Sequence, residues 1–192
     1  MPLGITKIDL FYRYKEIHMK IKEQVKLLAA FFRKENINFA VVGAFALSAY
    51  GYTRATKDID FITGIENQEK IVKYLELLGF ETLHVSDGFS NHLRKADYAR
   101  VDFVYVDKDT AAEIYGSAKR KVVLNNIELP VVSPEHLIAM KLFAVKNDPG
   151  RIHKEFADIK ELINLTNPDK SVIRGYFKKY GQEKYYNEIT GW

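Results

Sequence analysis

Apolar residues recur along this chain with two different periods, and each change of period marks a new element. In residues 8–34, Ile21, Val25, Leu28 and Phe32 fall at i, i+4, i+7 and i+11 with lysine and glutamate between them, which predicts one or two helices with a packing stripe. Glu35-Asn36-Ile37-Asn38 breaks that stripe, and residues 39–42 (FAVV) form the short continuous apolar run of a buried strand. Residues 44–50 predict a short helix ending at Gly51, since glycine accepts the left-handed conformation at a helix C-terminus. A second strand follows with Asp58-Ile59-Asp60-Phe61-Ile62-Thr63. Helical spacing returns at 69–78, where Ile71, Tyr74, Leu75 and Leu78 share a side and Gly79 closes the turn.

Segments 80–85 and 91–95 predict two strands around Ser86-Asp87-Gly88, leading as an antiparallel ribbon into a strand at 100–107 (RVDFVYVD). Residues 110–115 are expected to be helical, and 119–124 with 127–132 to form a hairpin across Asn125-Asn126. From Ser133 the pattern turns helical again, with Ser133 as N-cap, Pro134 in the first helical position, and Leu137, Met140 and Ala144 on one stripe of 134–145. A last helical region covers 169–186. The expectation is an α/β (α+β) fold, a mixed β-sheet flanked by helices with a helical C-terminal cap. It divides into an N-terminal helical segment (1–36) packing on a core (37–132) and a C-terminal helical region (133–192).

The chemistry concentrates on two strands. A strand alternates its side chains, so Asp58 and Asp60 share a face, opposite Ile59 and Phe61. Like charges so close repel and raise one another's pKa unless a cation neutralises them. An oxygen-seeking ion such as Mg²⁺ or Mn²⁺ would do so; a solvated edge-strand face is the plainer alternative. Asp102 shares a face with Val104 and Val106, and a strand placed beside Asp58 and Asp60 would bring in a third carboxylate. Three such acids can hold two metal ions about 3.5–4 Å apart. Upstream, Gly43 has no Cβ, so a phosphate can approach the backbone where the helix amides begin.

Composition narrows the class. With 192 residues, 28% charged, 13% aromatic and no cysteine, the chain can bury a real core, and disulfides and thiol catalysis are excluded. No apolar run reaches the ~20 residues of a membrane span, and charged residues stand early where a secretory segment would be apolar, so a cytoplasmic protein is expected. His84 and His92 read as ordinary strand residues. The net charge of +4 is uneven: residues 1–36 hold eight Lys/Arg against four Asp/Glu, and 170–192 hold five against two. Basic ends suit a phosphate-bearing substrate, although lysines also simply solvate helices. The aromatics of the last region, Tyr176, Phe177, Tyr180, Tyr185 and Tyr186, either stack on bases or dock on the core.

Gly43-Ala44, then thirteen residues, then Asp58-Ile59-Asp60-Phe61, with a later Asp102 between apolar residues, together resemble the signature of the DNA polymerase β-like nucleotidyltransferase superfamily. Within it, GAFALSAYGYTRATKDID is most similar to the small prokaryotic nucleotidyltransferases related to abortive-infection type IV toxins, the resemblance covering residues 38–165. It implies a nucleotidyltransferase fold, Mg²⁺ or Mn²⁺ on Asp58, Asp60 and Asp102, and transfer of a nucleoside monophosphate from a nucleoside triphosphate to an acceptor hydroxyl. Gly43, Ala44, Arg54 and Thr56 would bind the nucleotide, with Arg54 either on its phosphates or pairing with a carboxylate. SPEHLIAMKLFAV followed by RIHKEFADIKEL continues the resemblance and implies that Lys141 neutralises the triphosphate and Asp158 orients it or a metal-bound group; helix-surface charge is the alternative for both. Lys154-Glu155 departs from the usual Lys-Asp, and Ala44 offers only its N–H where Ser or Gly is common. The implied partners are an RNA acceptor such as tRNA, otherwise a protein or small molecule, and a cognate antitoxin. A non-catalytic nucleotide- or nucleic-acid-binding regulator and a phosphotransferase on the same fold are the competing classes.

Overall fold

The structure is a computed structural model that describes residues 7–124 and 126–192, with side chains from Ile21 onward. In chain order its elements are α1 (Lys7–Lys34), β1 (Phe39–Val42), α2 (Gly43–Ala49), β2 (Asp58–Gly64), α3 (Gln68–Leu77), β3 (Glu81–Val85), β4 (Phe89–Arg94) and β5 (Ala99–Val106). There follow α4 (Lys108–Ser117), β6 (Lys119–Leu124), β7 (Ile127–Val131), α5 (Pro134–Asn147), α6 (Ile152–Thr166), α7 (Lys170–Lys179) and α8 (Tyr186–Thr190). The expected α/β class with mixed sheet and flanking helices is borne out, element ends through α5 differing from the sequence pattern by about two residues at most, while the last helical region expected over 169–186 is divided into α7 and α8 and runs on to Thr190. The hairpin turn expected at Asn125-Asn126 includes residue 125, which lies outside the described residues; Asn126 has φ 67°.

The chain forms two compact units, neither contiguous in sequence: residues 7–39 with Thr56–Ala111, and Ala40–Ala55 with Ala112–Trp192. In the first, strands run in the order β3-β4-β5-β2. β5 is parallel to β2, while β4 is antiparallel to both β5 and β3. Ile59, Phe61, Val101 and Phe103 leave one face of this sheet and are fully buried. Helix α1 supplies their cover, because Ile21, Val25, Leu28 and Phe32 recur at helical spacing and are all buried. The Phe32 ring meets Phe61 edge-on with centroids 5.6 Å apart. Phe31 stacks on Tyr74 of α3 at 3.8 Å, and burial of a fully enclosed ring such as Phe32 or Phe61 stabilises by about 1.5–3 kcal/mol. With one face dry, the other is left to the polar residues of the alternation.

In the second unit β7 lies between β1, parallel through Val41 and Val131, and β6, antiparallel. Helices α5 to α8 pack around Leu137, Ile138, Leu142, Ile159, Leu162, Ile173 and Phe177, all buried. Ser133 caps α5, its hydroxyl accepting the His136 N–H at 3.2 Å with Pro134 next to it. Asp169 caps α7 by accepting the N–H groups of Ser171 and Val172. Of the late aromatics, Phe177 and Tyr186 are buried, so docking accounts for these two, while Tyr176, Tyr180 and Tyr185 stay half-buried. Among the described residues no helix is long and apolar enough to cross a membrane.

Candidate functional site

The register of β2 against β5 builds the acidic cluster. Asp60 stands opposite Asp102, and Asp58 opposite Arg100, so the face turned away from the phenylalanines carries Asp58, Asp60 and Asp102 together. One carboxylate oxygen from each lies within 4.8 Å of the others, and all three residues are half-buried. Burial pushes the Asp102 carboxyl above its ordinary range, and the Asp58 charge pushes the same way. The Asn91 side chain, the Arg100 charge and the His92 backbone N–H oppose the rise. Asn91 occupies the position directly across from Asp102 on β4. On the other side Thr56 donates its hydroxyl to Oδ1 of Asp58, fixing that carboxylate where the loop enters the strand.

A donor set made only of carboxylate oxygens fits a hard divalent cation of the Mg²⁺ or Mn²⁺ type and not a thiophilic metal.

The other expected residues belong to the second unit. Gly43 opens α2 with φ 64°, a conformation that costs any residue with a Cβ about 1–2 kcal/mol. Val42, the N-cap, contributes no side-chain cap, so no capping side chain takes up the first amides of this helix. Ala44 is buried. Lys141 is only 7% exposed and Asp158 2%, which removes helix-surface charge as their explanation. The Lys141 ammonium donates to Glu155 Oε2 at 2.8 Å and to Asp158 Oδ2. Arg151 donates to Glu155 Oε1, from Nε at 3.1 Å. For Glu155, burial works upward, but the Lys141 charge and hydrogen bonds from Lys141 and Arg151 outweigh it and hold the carboxyl below its usual range.

Arg54 lies 3.6 Å from Asp158, the carboxylate pairing that was one of its two expected roles, and its buried Nε has no hydrogen-bond partner among the described residues. The structure thus groups Thr56, Asp58, Asp60 and Asp102 in one unit, and Arg54, Lys141 and Asp158 in the other. Sequence reasoning missed Asn91, whose signal lay only in hairpin register, and treated Glu155 as a departure. The i, i+3 spacing of Glu155 and Asp158 was the available sign that both reach one cation.

Residues 26–190 match the family model described as nucleotidyl transferase AbiEii toxin, type IV TA system. The chain belongs to the AbiEii nucleotidyl transferase toxin family. The polymerase β-like resemblance in its motifs is thereby borne out. The antibiotic-resistance factor ANT(2'')-Ia is similar in fold to this AbiEii-family chain. Its solution structure has a TM-score of 0.64 at 17% identity, covering 87% of this chain and 98% of that one. Its crystal structure with adenylyl-2''-tobramycin has a TM-score of 0.65 at 17% identity, covering 86% and 99%. The lincosamide antibiotic adenylyltransferase LnuA, lincomycin-bound, has a TM-score of 0.51 at 16% identity, covering 75% and 97%. At these identities the likeness is one of fold. No curated protein matches the chain.

Proposed function

We propose that this chain transfers a nucleoside monophosphate from a nucleoside triphosphate to an acceptor hydroxyl, releases pyrophosphate and requires Mg²⁺ or Mn²⁺. The observation that carries the reading is the meeting of Asp58, Asp60 and Asp102 on one face of adjacent parallel strands. These three would hold the ion, which when bound supplies charge neutralisation for the phosphates and acidifies the acceptor hydroxyl. Thr56 and Asn91 orient Asp58 and Asp102. The hydroxyl oxygen bonds to the α-phosphorus as the bond to the bridging oxygen breaks. Asp102 takes the hydroxyl proton, and pyrophosphate leaves with the bond electrons.

The resemblance assigns Gly43, Ala44, Arg54, Thr56, Lys141 and Asp158 to the nucleotide. Of the cations among them, Arg54 has the freer donors. The Lys141 ammonium is already compensated by two carboxylates, while among the described residues Arg54 has the 3.6 Å ion pair with Asp158 and an Nε without a hydrogen-bond partner.

For the acceptor we propose an RNA end such as that of tRNA, in a cytoplasmic toxin held by a cognate antitoxin. The exposed Lys178, Lys179 and Lys184 and the positive charge of both chain ends support a polyanion. A protein or small-molecule hydroxyl is the alternative acceptor. A regulator without chemistry has no evident use for three mutually repelling carboxylates, and a phosphotransferase would move the γ-phosphate instead. The test is incubation with each α-labelled triphosphate, Mg²⁺ and cell extract. Label in ribonuclease-sensitive material is expected. Label in protein or small molecules would redirect the acceptor, and no label with any triphosphate would overturn the transferase reading.

A further inference from the structure

The strand register continues the catalytic row beyond the acids. Asp60 on β2 stands opposite Asp102 on β5, Asp102 opposite Asn91 on β4, and Asn91 opposite His84 on β3. These four positions form one line across the sheet, on the face that carries the carboxylates. Phe89 lies two residues before Asn91 and therefore shares its face. The His84 and Phe89 rings stack with centroids 4.6 Å apart and planes inclined by 17°. This pair is left out of the core: His84 is exposed and Phe89 is 45% exposed. Arg100, exposed on the same face two residues before Asp102, adds a cation beside the line.

We infer that the His84–Phe89 ring pair is the acceptor subsite, a platform on which a base next to the reacting end of a single-stranded polynucleotide stacks, with Arg100 available to its backbone phosphate. The inference rests on the proposed RNA acceptor and deepens it. Two strand spacings separate His84 from Asp102, about 10 Å, and Phe89 stands one spacing across and two residues along, distances comparable with one nucleotide step from a terminal hydroxyl to a neighbouring base. Stacking suits this occupant because every nucleobase offers a π-face and planar rings receive it without a sequence-specific pocket. A sugar ring can also lay its C–H face on such a pair but brings no phosphate for Arg100, and an aliphatic side chain would want an enclosed pocket, which two exposed rings on an edge hairpin do not provide.

The test is binding of a fluorescein-labelled single-stranded oligoribonucleotide to the full chain in EDTA, by anisotropy, where no transfer interferes. Phe89→Leu keeps the apolar bulk and removes the ring, and should weaken binding roughly tenfold or more. His84→Gln should weaken it severalfold, and Phe89→Trp should retain it. All three variants should keep the wild-type melting temperature and its rise with Mg²⁺ plus triphosphate. Unchanged affinity in Phe89→Leu would overturn the platform while leaving RNA as acceptor. A wild-type chain that binds no single-stranded RNA would overturn both the acceptor reading and the platform. A loss of melting temperature that accounts for the weakened binding would make the rings structural and overturn it as well.

Discussion

Asp58 and Asp60 contribute charge more than packing, so removing one carboxylate relieves repulsion in the metal-free protein. Asp58→Asn and Asp60→Asn should therefore hold or raise the melting temperature while abolishing transfer and the stabilisation by metal plus triphosphate; parallel melts and transfer assays decide. A fall in melting temperature that tracks lost activity would make these residues structural. Lys141 behaves in the opposite way. Lys141→Met removes the ammonium shared by two buried carboxylates and leaves Glu155 to Arg151 and Asp158 to Arg54, which costs at most about 3–5 kcal/mol by denaturant unfolding. Neutralising both partners as well, with Glu155→Gln and Asp158→Asn, should recover part of that loss. His92 is buried, with Nδ1 3.1 Å from the Thr82 hydroxyl and Nε2 2.7 Å from that of Ser90. Burial pushes its pKa from 6.5 down to about 4. The unfolded chain then takes the proton first, so the stability of the neutral ring is full above pH 6.5 and is lost as pH falls toward 4. The loss is at most about 3 kcal/mol. The fall in melting temperature over that window should be steeper in wild type than in His92→Gln.

At the scale of elements, termini decide where helices begin, and the two that matter here start for different reasons. Helix α5 begins because the Ser133 hydroxyl accepts an otherwise orphan N–H. Ser133→Ala should cost about 1 kcal/mol and leave transfer per folded molecule unchanged. Helix α2 begins because Gly43 turns the chain left-handed directly after β1. Gly43→Ala should cost about 1–2 kcal/mol and also weaken triphosphate binding, which titration calorimetry would separate from stability. These starts were legible from a serine before proline and a glycine after an apolar run. The partners of the buried cations were not. Lys141 reads as one more polar residue beside a stripe, and only the approach of α6 to α5 encloses it with Glu155 and Asp158.

For the molecule as a whole, ligand linkage is the broadest test of the proposed activity. A ligand that binds only the folded state at a hundred times its dissociation constant stabilises by about 2.7 kcal/mol. Mg²⁺ and triphosphate together should raise the melting temperature, either alone far less, and EDTA should reverse the effect; indifference to the pair would count against the site.

Periodicity is a local property, and from it the sequence by itself determined the helices, the strands, the packing stripe of α1 and the shared face of Asp58 and Asp60. The order of its motifs also determined the family. Pairing is non-local, and only the tertiary structure decided it. A slip of one residue between β2 and β5 would leave every strand in place yet turn Asp102 to the opposite face, and no local pattern forbids that slip. The alignment of Asn91 and His84 with the acids depends in the same way on hairpin register, including a shift between Thr82 and His84. The building of each unit from separated segments arises likewise, because apolar faces distant in sequence are buried only when the chain returns to them.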